Sequence, residues 1–107
     1  MHSAPLKEIL EQLSKALRQR YGERYVGLWL CGSQARGDAG PESDIDLLLV
    51  LTRMQRLAQE IDYITDILAD FNLRYGVLLA VLPVEQSTLL TAPGPFWRNV
   101  RAEGMAA

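Results

Sequence analysis

A chain of 107 residues, 49% hydrophobic and 22% charged, has the composition of one compact core and excludes a disordered tract or a repeat array. Its formal net charge of −2 gives no polyanion-binding surface by overall balance, so nucleic acid is not expected as a direct substrate. A single cysteine, Cys31, excludes an internal disulfide and a cysteine metal cluster, and no apolar run approaches the ~20 residues that span a bilayer.

The N-terminal MHSAPLKEILEQL carries acids and lacks the apolar stretch of a signal peptide. The expectation is a cytoplasmic protein with one domain over residues 1–107. Leu6, Ile9, Leu10, Leu13 and Leu17 recur at helical spacing with Lys7, Glu8, Glu11, Gln12 and Lys15 between them. That spacing predicts an amphipathic helix started by Ser3 or Pro5 and ending near Gly22. YVGLWLC, Tyr25 to Cys31, predicts a buried strand closed by Gly32. SQARG then has the composition of one helical turn, DAGPES is dense in turn formers, and IDLLLVL, Ile45 to Leu51, predicts a second strand.

Over 54–75 the positions Leu57, Ile61, Ile64, Leu68, Phe71 and Tyr75 step by three or four, which predicts a long helix with one core-facing stripe, stopped by Gly76. VLLAVL, 77–82, predicts a third strand covered on both faces. Strand, long helix and strand make a crossover unit, so the second and third strands are expected to run parallel with a right-handed connection. A short helix near 87–90, then APGP and FWRNVRAEG, completes the chain.

The chemistry gathers in GSQARGDAGPESDIDLLLV. Alternate strand residues share a face, so Asp44 and Asp46 project together while Ile45 points the other way. Two carboxylates so placed repel unless a cation joins them, and a hard divalent ion such as Mg2+ favours such oxygen ligands. Upstream, Gly32 and Ser33 lie where the first strand turns into a helical segment, so backbone amides can face an anion and the Ser33 hydroxyl can add a contact. Arg36, one turn on, can hold a phosphate oxygen or simply be a solvated surface arginine. A phosphate cradle beside a metal pair is what nucleotidyl transfer from a nucleoside triphosphate requires.

The Gly-Ser pair, ten residues and Asp-x-Asp in GSQARGDAGPESDID resemble the signature of the DNA polymerase beta-like nucleotidyltransferase superfamily, and the short chain is similar to its minimal nucleotidyltransferase (MNT) branch. The resemblance runs through most of the chain. It implies an α+β fold with a mixed three-stranded sheet flanked by helices, binding of Mg2+ and a nucleoside triphosphate, ATP first, and transfer of a nucleoside monophosphate to a hydroxyl. By position, Gly32 and Ser33 would hold phosphate, and Asp44 and Asp46 would ligate metal and serve catalysis. Minimal members often stand beside a small helical HEPN protein, in some pairs as an antitoxin that adenylylates it, so a HEPN-type partner is implied.

One departure concerns turnover. Active members commonly carry a third carboxylate on the next core strand, whereas VLLAVL holds no acid. Asp62, Asp66 and Asp70 fall four apart on the polar side of the long helix, and Glu85 follows the third strand and has to reach back to contribute. A catalytically weak or inactive nucleotide-binding module, silencing a helical partner by covering its active surface, is therefore the alternative. Cys31 reads as a small buried hydrophobe and Trp29 as a core residue. Phe96, Trp97, Arg98 and Arg101 fit either a docked terminal helix or a protein interface. So much apolar sequence in a small domain also admits a homo-oligomer or a heteromer.

Overall fold

A computed structural model describes residues 5–32 and 44–107. Helix α1, Leu6–Tyr21, starts after Pro5, whose extended backbone and fixed φ suit the entry; Ser3 lies outside the described residues. Its apolar stripe is buried as the spacing requires, and Gly22 at φ +61 ends it with an N–H bonded to the Arg18 carbonyl. A 3-10 turn, Gly22–Arg24, feeds strand β1, Tyr25–Cys31. Strand β2, Ile45–Leu51, runs antiparallel to β1, with Cys31 opposite Asp46 and Leu30 opposite Leu47. Helix α2, Leu57–Tyr75, then crosses to β3, Leu79–Glu85, which lies parallel to β2 as the crossover predicts.

Two short helices follow, α3 at Gln86–Thr91 and α4 at Pro95–Glu103, and then a two-residue strand β4, Met105–Ala106, antiparallel to β1. The sheet order is β3-β2-β1-β4. The mixed sheet is thus four-stranded rather than three-stranded. No hydrophobic period can announce a strand of two residues, which forms only because β1 leaves an edge open beside Trp29 and Leu30. The third strand also sits later than VLLAVL predicts. It passes through Pro83, which an edge strand tolerates because only one side of its ladder is paired.

Strand alternation divides the interior in two. Ile45, Leu47, Leu49 and Leu51 join Leu28, Leu30 and the stripes of α1 and α2 in one cluster. Leu48 and Val50 face the other way, toward Val84, Leu89 of α3 and Val100 of α4, with Trp29, Cys31 and Trp97 packed against them. This second layer stops short of the Asp46 end: on β3, Ala80 and Leu82 are exposed, so the predicted cover on both faces fails there. The α2 stripe also turns relative to the sequence pattern. Leu57 and Ile61 are 43% and 41% exposed, while Glu60 is buried at 5% and Ile64 and Phe71 face the core.

The tail of the chain is docked by a close approach. Trp29 Nε1 donates to the Val100 carbonyl at 3.4 Å, and Gly104 lies flat against the same indole. A Cβ on Gly104 would meet the Trp29 ring and stand 2.6 Å from the Val100 oxygen. Gly104→Ala is therefore expected to destabilise the fold by about 1–3 kcal/mol through overpacking. It should also speed amide exchange at Ala107, whose N–H bonds the Leu28 carbonyl at 2.9 Å. Unchanged melting and unchanged exchange would show that this contact does not hold β4.

Candidate active site

The site forms where β1 ends and β2 begins. Ile45 N–H donates to the Leu78 carbonyl at 2.9 Å, which pins the start of β2 to the start of β3 and sets Asp44 just outside the strand. Asp44 and Asp46 are both exposed, with Ile45 between them buried at 4%. The alternation read from the sequence therefore holds: two carboxylates face out while their neighbour enters the core. Among the described residues, no ion pair neutralises either of them.

Gly32 follows β1 with φ +67, a left-handed conformation that other residues rarely adopt. A Cβ here would lie 2.6 Å from Asp46 Oδ2, so the glycine backbone and the second aspartate of Asp-x-Asp are in direct contact. The strand pairing explains this, because Cys31 lies opposite Asp46 and Gly32 follows it directly. Ser33 and Arg36 lie outside the described residues.

Gly32 and Asp46 line a cavity of about 460 Å3 together with Cys31, Leu47, Leu48, Ala80, Val81, Leu82 and Phe96. Asp46 is its one charged side chain among the described residues. Burial and then the Asp46 carboxylate raise the Cys31 thiol above its usual pKa, so the thiol stays neutral. Cys31 and Phe96 were not candidates from the sequence. Pairing parity carries the signal for Cys31, the last residue of β1, whereas nothing local ties Phe96 to residues fifty positions earlier.

The other acids stand elsewhere. Glu85 ends β3 opposite Leu51, five residues beyond the Asp46–Ala80 pair. At ~3.3 Å per residue that is roughly 17 Å away, so Glu85 does not reach back. Ala80 occupies the β3 position beside Asp46 on the same face. Asp62, Asp66 and Asp70 are exposed on α2, as their spacing predicts. Asp66 receives both Arg20 guanidinium nitrogens at 3.0 and 2.9 Å, and that hydrogen bonding pulls its carboxyl down to about 2. Among the described residues no group of three or more His, Cys, Asp or Glu side chains comes together. Two exposed carboxylates on one strand face nevertheless suit a hard divalent ion, which draws its remaining oxygens from water and phosphate.

The nucleotidyltransferase domain family model matches residues 10–93, and the chain belongs to that family. Two curated relatives from Methanocaldococcus jannaschii, each named "Putative protein adenylyltransferase", are 33% and 31% identical to it. The first alignment covers 92% of this chain and 93% of the relative, the second 83% and 61%. A crystal structure of a "putative nucleotidyltransferase" from Sulfolobus solfataricus superposes with a TM-score of 0.57 at 18% identity, over 94% of this chain and 73% of that one, a likeness of fold. No helix among the described residues is long and apolar enough to cross a membrane.

Proposed function

We propose that the chain binds a nucleoside triphosphate, ATP in particular, with Mg2+ at the Gly32 and Asp46 cavity and transfers its nucleoside monophosphate to a hydroxyl on a HEPN-type helical partner, as the antitoxin of a cytoplasmic two-protein module. The supporting observation is the closeness of Gly32 to Asp46, where a Cβ on the glycine would lie 2.6 Å from Asp46 Oδ2; on this reading the glycine amide faces phosphate and the carboxylate faces metal. Asp44 and Asp46 hold the ion, while Gly32, Ser33 and Arg36 hold phosphate. Bound Mg2+ supplies neutralisation of the charge that develops on the α-phosphate. The acceptor oxygen attacks the α-phosphorus, the bond to the bridging oxygen breaks, pyrophosphate leaves, and the acceptor proton passes to water or to a group of the partner. Names of the relatives support the adenylyl group and a protein acceptor.

Cys31 provides a direct test, because the chain has one cysteine and it lines the cavity. Mg-ATP is expected to slow alkylation of Cys31 by iodoacetamide at least several-fold, and Asp46→Asn is expected to remove the protection. Alkylation that proceeds equally fast with and without Mg-ATP in the native chain would place the nucleotide elsewhere.

A second reading is favoured by Ala80. With alanine beside Asp46 and Glu85 at the far end of β3, the described residues offer two carboxylates at the site, and a binding module that covers its helical partner needs no third. The two readings separate on the Asp44→Asn, Asp46→Asn double variant. It loses neutralisation of the partner if transfer matters and keeps it if covering suffices.

A further inference from the structure

Of the cavity's lining, the sequence motif accounts for Gly32 and Asp46; the remainder is apolar. Strand pairing orders it. Asp46 stands beside Ala80, and Leu48 beside Leu82 lies two residues further along β2 and β3 on the same face, about 7 Å away. Phe96, in the first turn of α4, lines the same space. The residue is 55% exposed, yet its ring is held in place: Trp97, packed against the second core cluster, meets it edge to face at 4.9 Å between centroids and 86°.

Triphosphate oxygens cannot settle on that apolar part, because an apolar floor does not replace their hydration. A half-exposed aromatic ring beside an aliphatic floor is instead suited to a flat, weakly polar group. Resting on the nucleotide-binding reading above, we propose that Phe96 is the stacking wall for the nucleobase, with Leu48 and Leu82 as the floor beneath it. Among the described residues no side-chain amide or further charge lines this part, so selection is by stacking area. Purine nucleotides, with the larger stacking face, are held over pyrimidine nucleotides. The α4 segment, remote in sequence from the Asp-x-Asp strand, thereby sets the nucleotide class.

The test measures equilibrium binding of ATP, UTP and inorganic tripolyphosphate, each with Mg2+, to the native chain, Phe96→Ala and Phe96→Tyr. Loss of a base–aromatic stack weakens binding by about 10- to 100-fold, which is the expected effect of Phe96→Ala on ATP. Tripolyphosphate affinity should not change, the ATP preference over UTP should shrink, and Phe96→Tyr should restore ATP binding. Equal ATP affinity in Phe96→Ala would overturn the proposal. So would a matching loss for tripolyphosphate, which would mean a structural role for the ring. Failure of the underlying reading looks different: the native chain would bind neither ATP nor tripolyphosphate. A native chain that binds tripolyphosphate as tightly as ATP would sink the base site alone.

Discussion

Asp46→Asn is expected to remove Mg2+-dependent nucleotide binding and to reduce transfer of labelled AMP to a partner by about 1,000-fold, the equivalent of ~4 kcal/mol of lost charge stabilisation. The substitution keeps side-chain shape against Gly32, where 2.6 Å separates a would-be Cβ from Asp46 Oδ2, and changes only charge and ligand character. Its effect on folding should have the opposite sign. Without metal, Asp44 and Asp46 repel each other at an exposed strand mouth, so removing one charge leaves the apo melting temperature equal or slightly higher. Mg2+ with ATP should stabilise the native chain by linkage and leave the variant unmoved. Asp62→Asn, on the exposed side of α2, serves as the control and should match the native chain in every arm. Retained Mg-ATP stabilisation in Asp46→Asn would remove Asp46 from the site.

The largest stability effect is expected far from that site, at Arg24. The Glu60 carboxylate is 5% exposed and takes Arg24 nitrogens at 2.7 and 3.2 Å and the Tyr21 hydroxyl at 3.1 Å. Arg24 also lies 5.0 Å over the Tyr21 ring and donates to the Arg53 carbonyl at 3.2 Å. Arg24→Ala leaves a buried carboxylate with one neutral donor. About 2–3 kcal/mol should be lost, below the full cost of a buried pair because the Arg24 side chain is 32% exposed. For a domain of this size that is a fall in Tm of roughly 10–20 °C. Combining Arg24→Met with Glu60→Gln removes both charges, keeps an acceptor for Tyr21, and should recover at least half of the loss. Were the double variant no more stable than Arg24→Ala, the stranded charge would not be the cause.

Titration reads the same cluster. Burial, and then the Glu60 carboxylate, raise the Tyr21 hydroxyl above its ordinary pKa. A folded-state pKa raised above the unfolded one gives stability that is complete below about pH 10 and declines as pH climbs past it. Chemical denaturation across pH 9 to 11 should show that decline, and Tyr21→Phe should abolish it while losing the hydrogen bond to Glu60.

Local periodicity made much of this architecture readable. The α1 stripe from Ile9 to Leu17 is buried as spaced, because a helix presents residues three and four apart on one face whatever its surroundings. Asp44 and Asp46 face out around a buried Ile45 for the equivalent reason in a strand. The long helix between two apolar runs likewise required parallel strands, and β2 and β3 are parallel. Gly32 was legible as a turn residue, with positive φ as its physical basis.

Other features depended on partners distant in sequence. Glu60 is a surface residue by any helical pattern, and it is buried because Tyr21 at the end of α1 and Arg24 in the turn before β1 meet it, while Leu57 and Ile61 stay exposed. Met105 and Ala106 become a strand only because Gly104 lets the chain pass against Trp29 to an open edge. Glu85 is removed from the site by register alone, and Phe96 enters the cavity by the docking of α4. By itself the sequence determined the buried face of α1, the alternation at the start of β2 and the outward pair of aspartates, since each follows from backbone repeat over a few residues. Tertiary structure decided which acid is buried, which is out of reach and which ring closes the cavity, since a register or a counter-ion exists only once distant segments have packed.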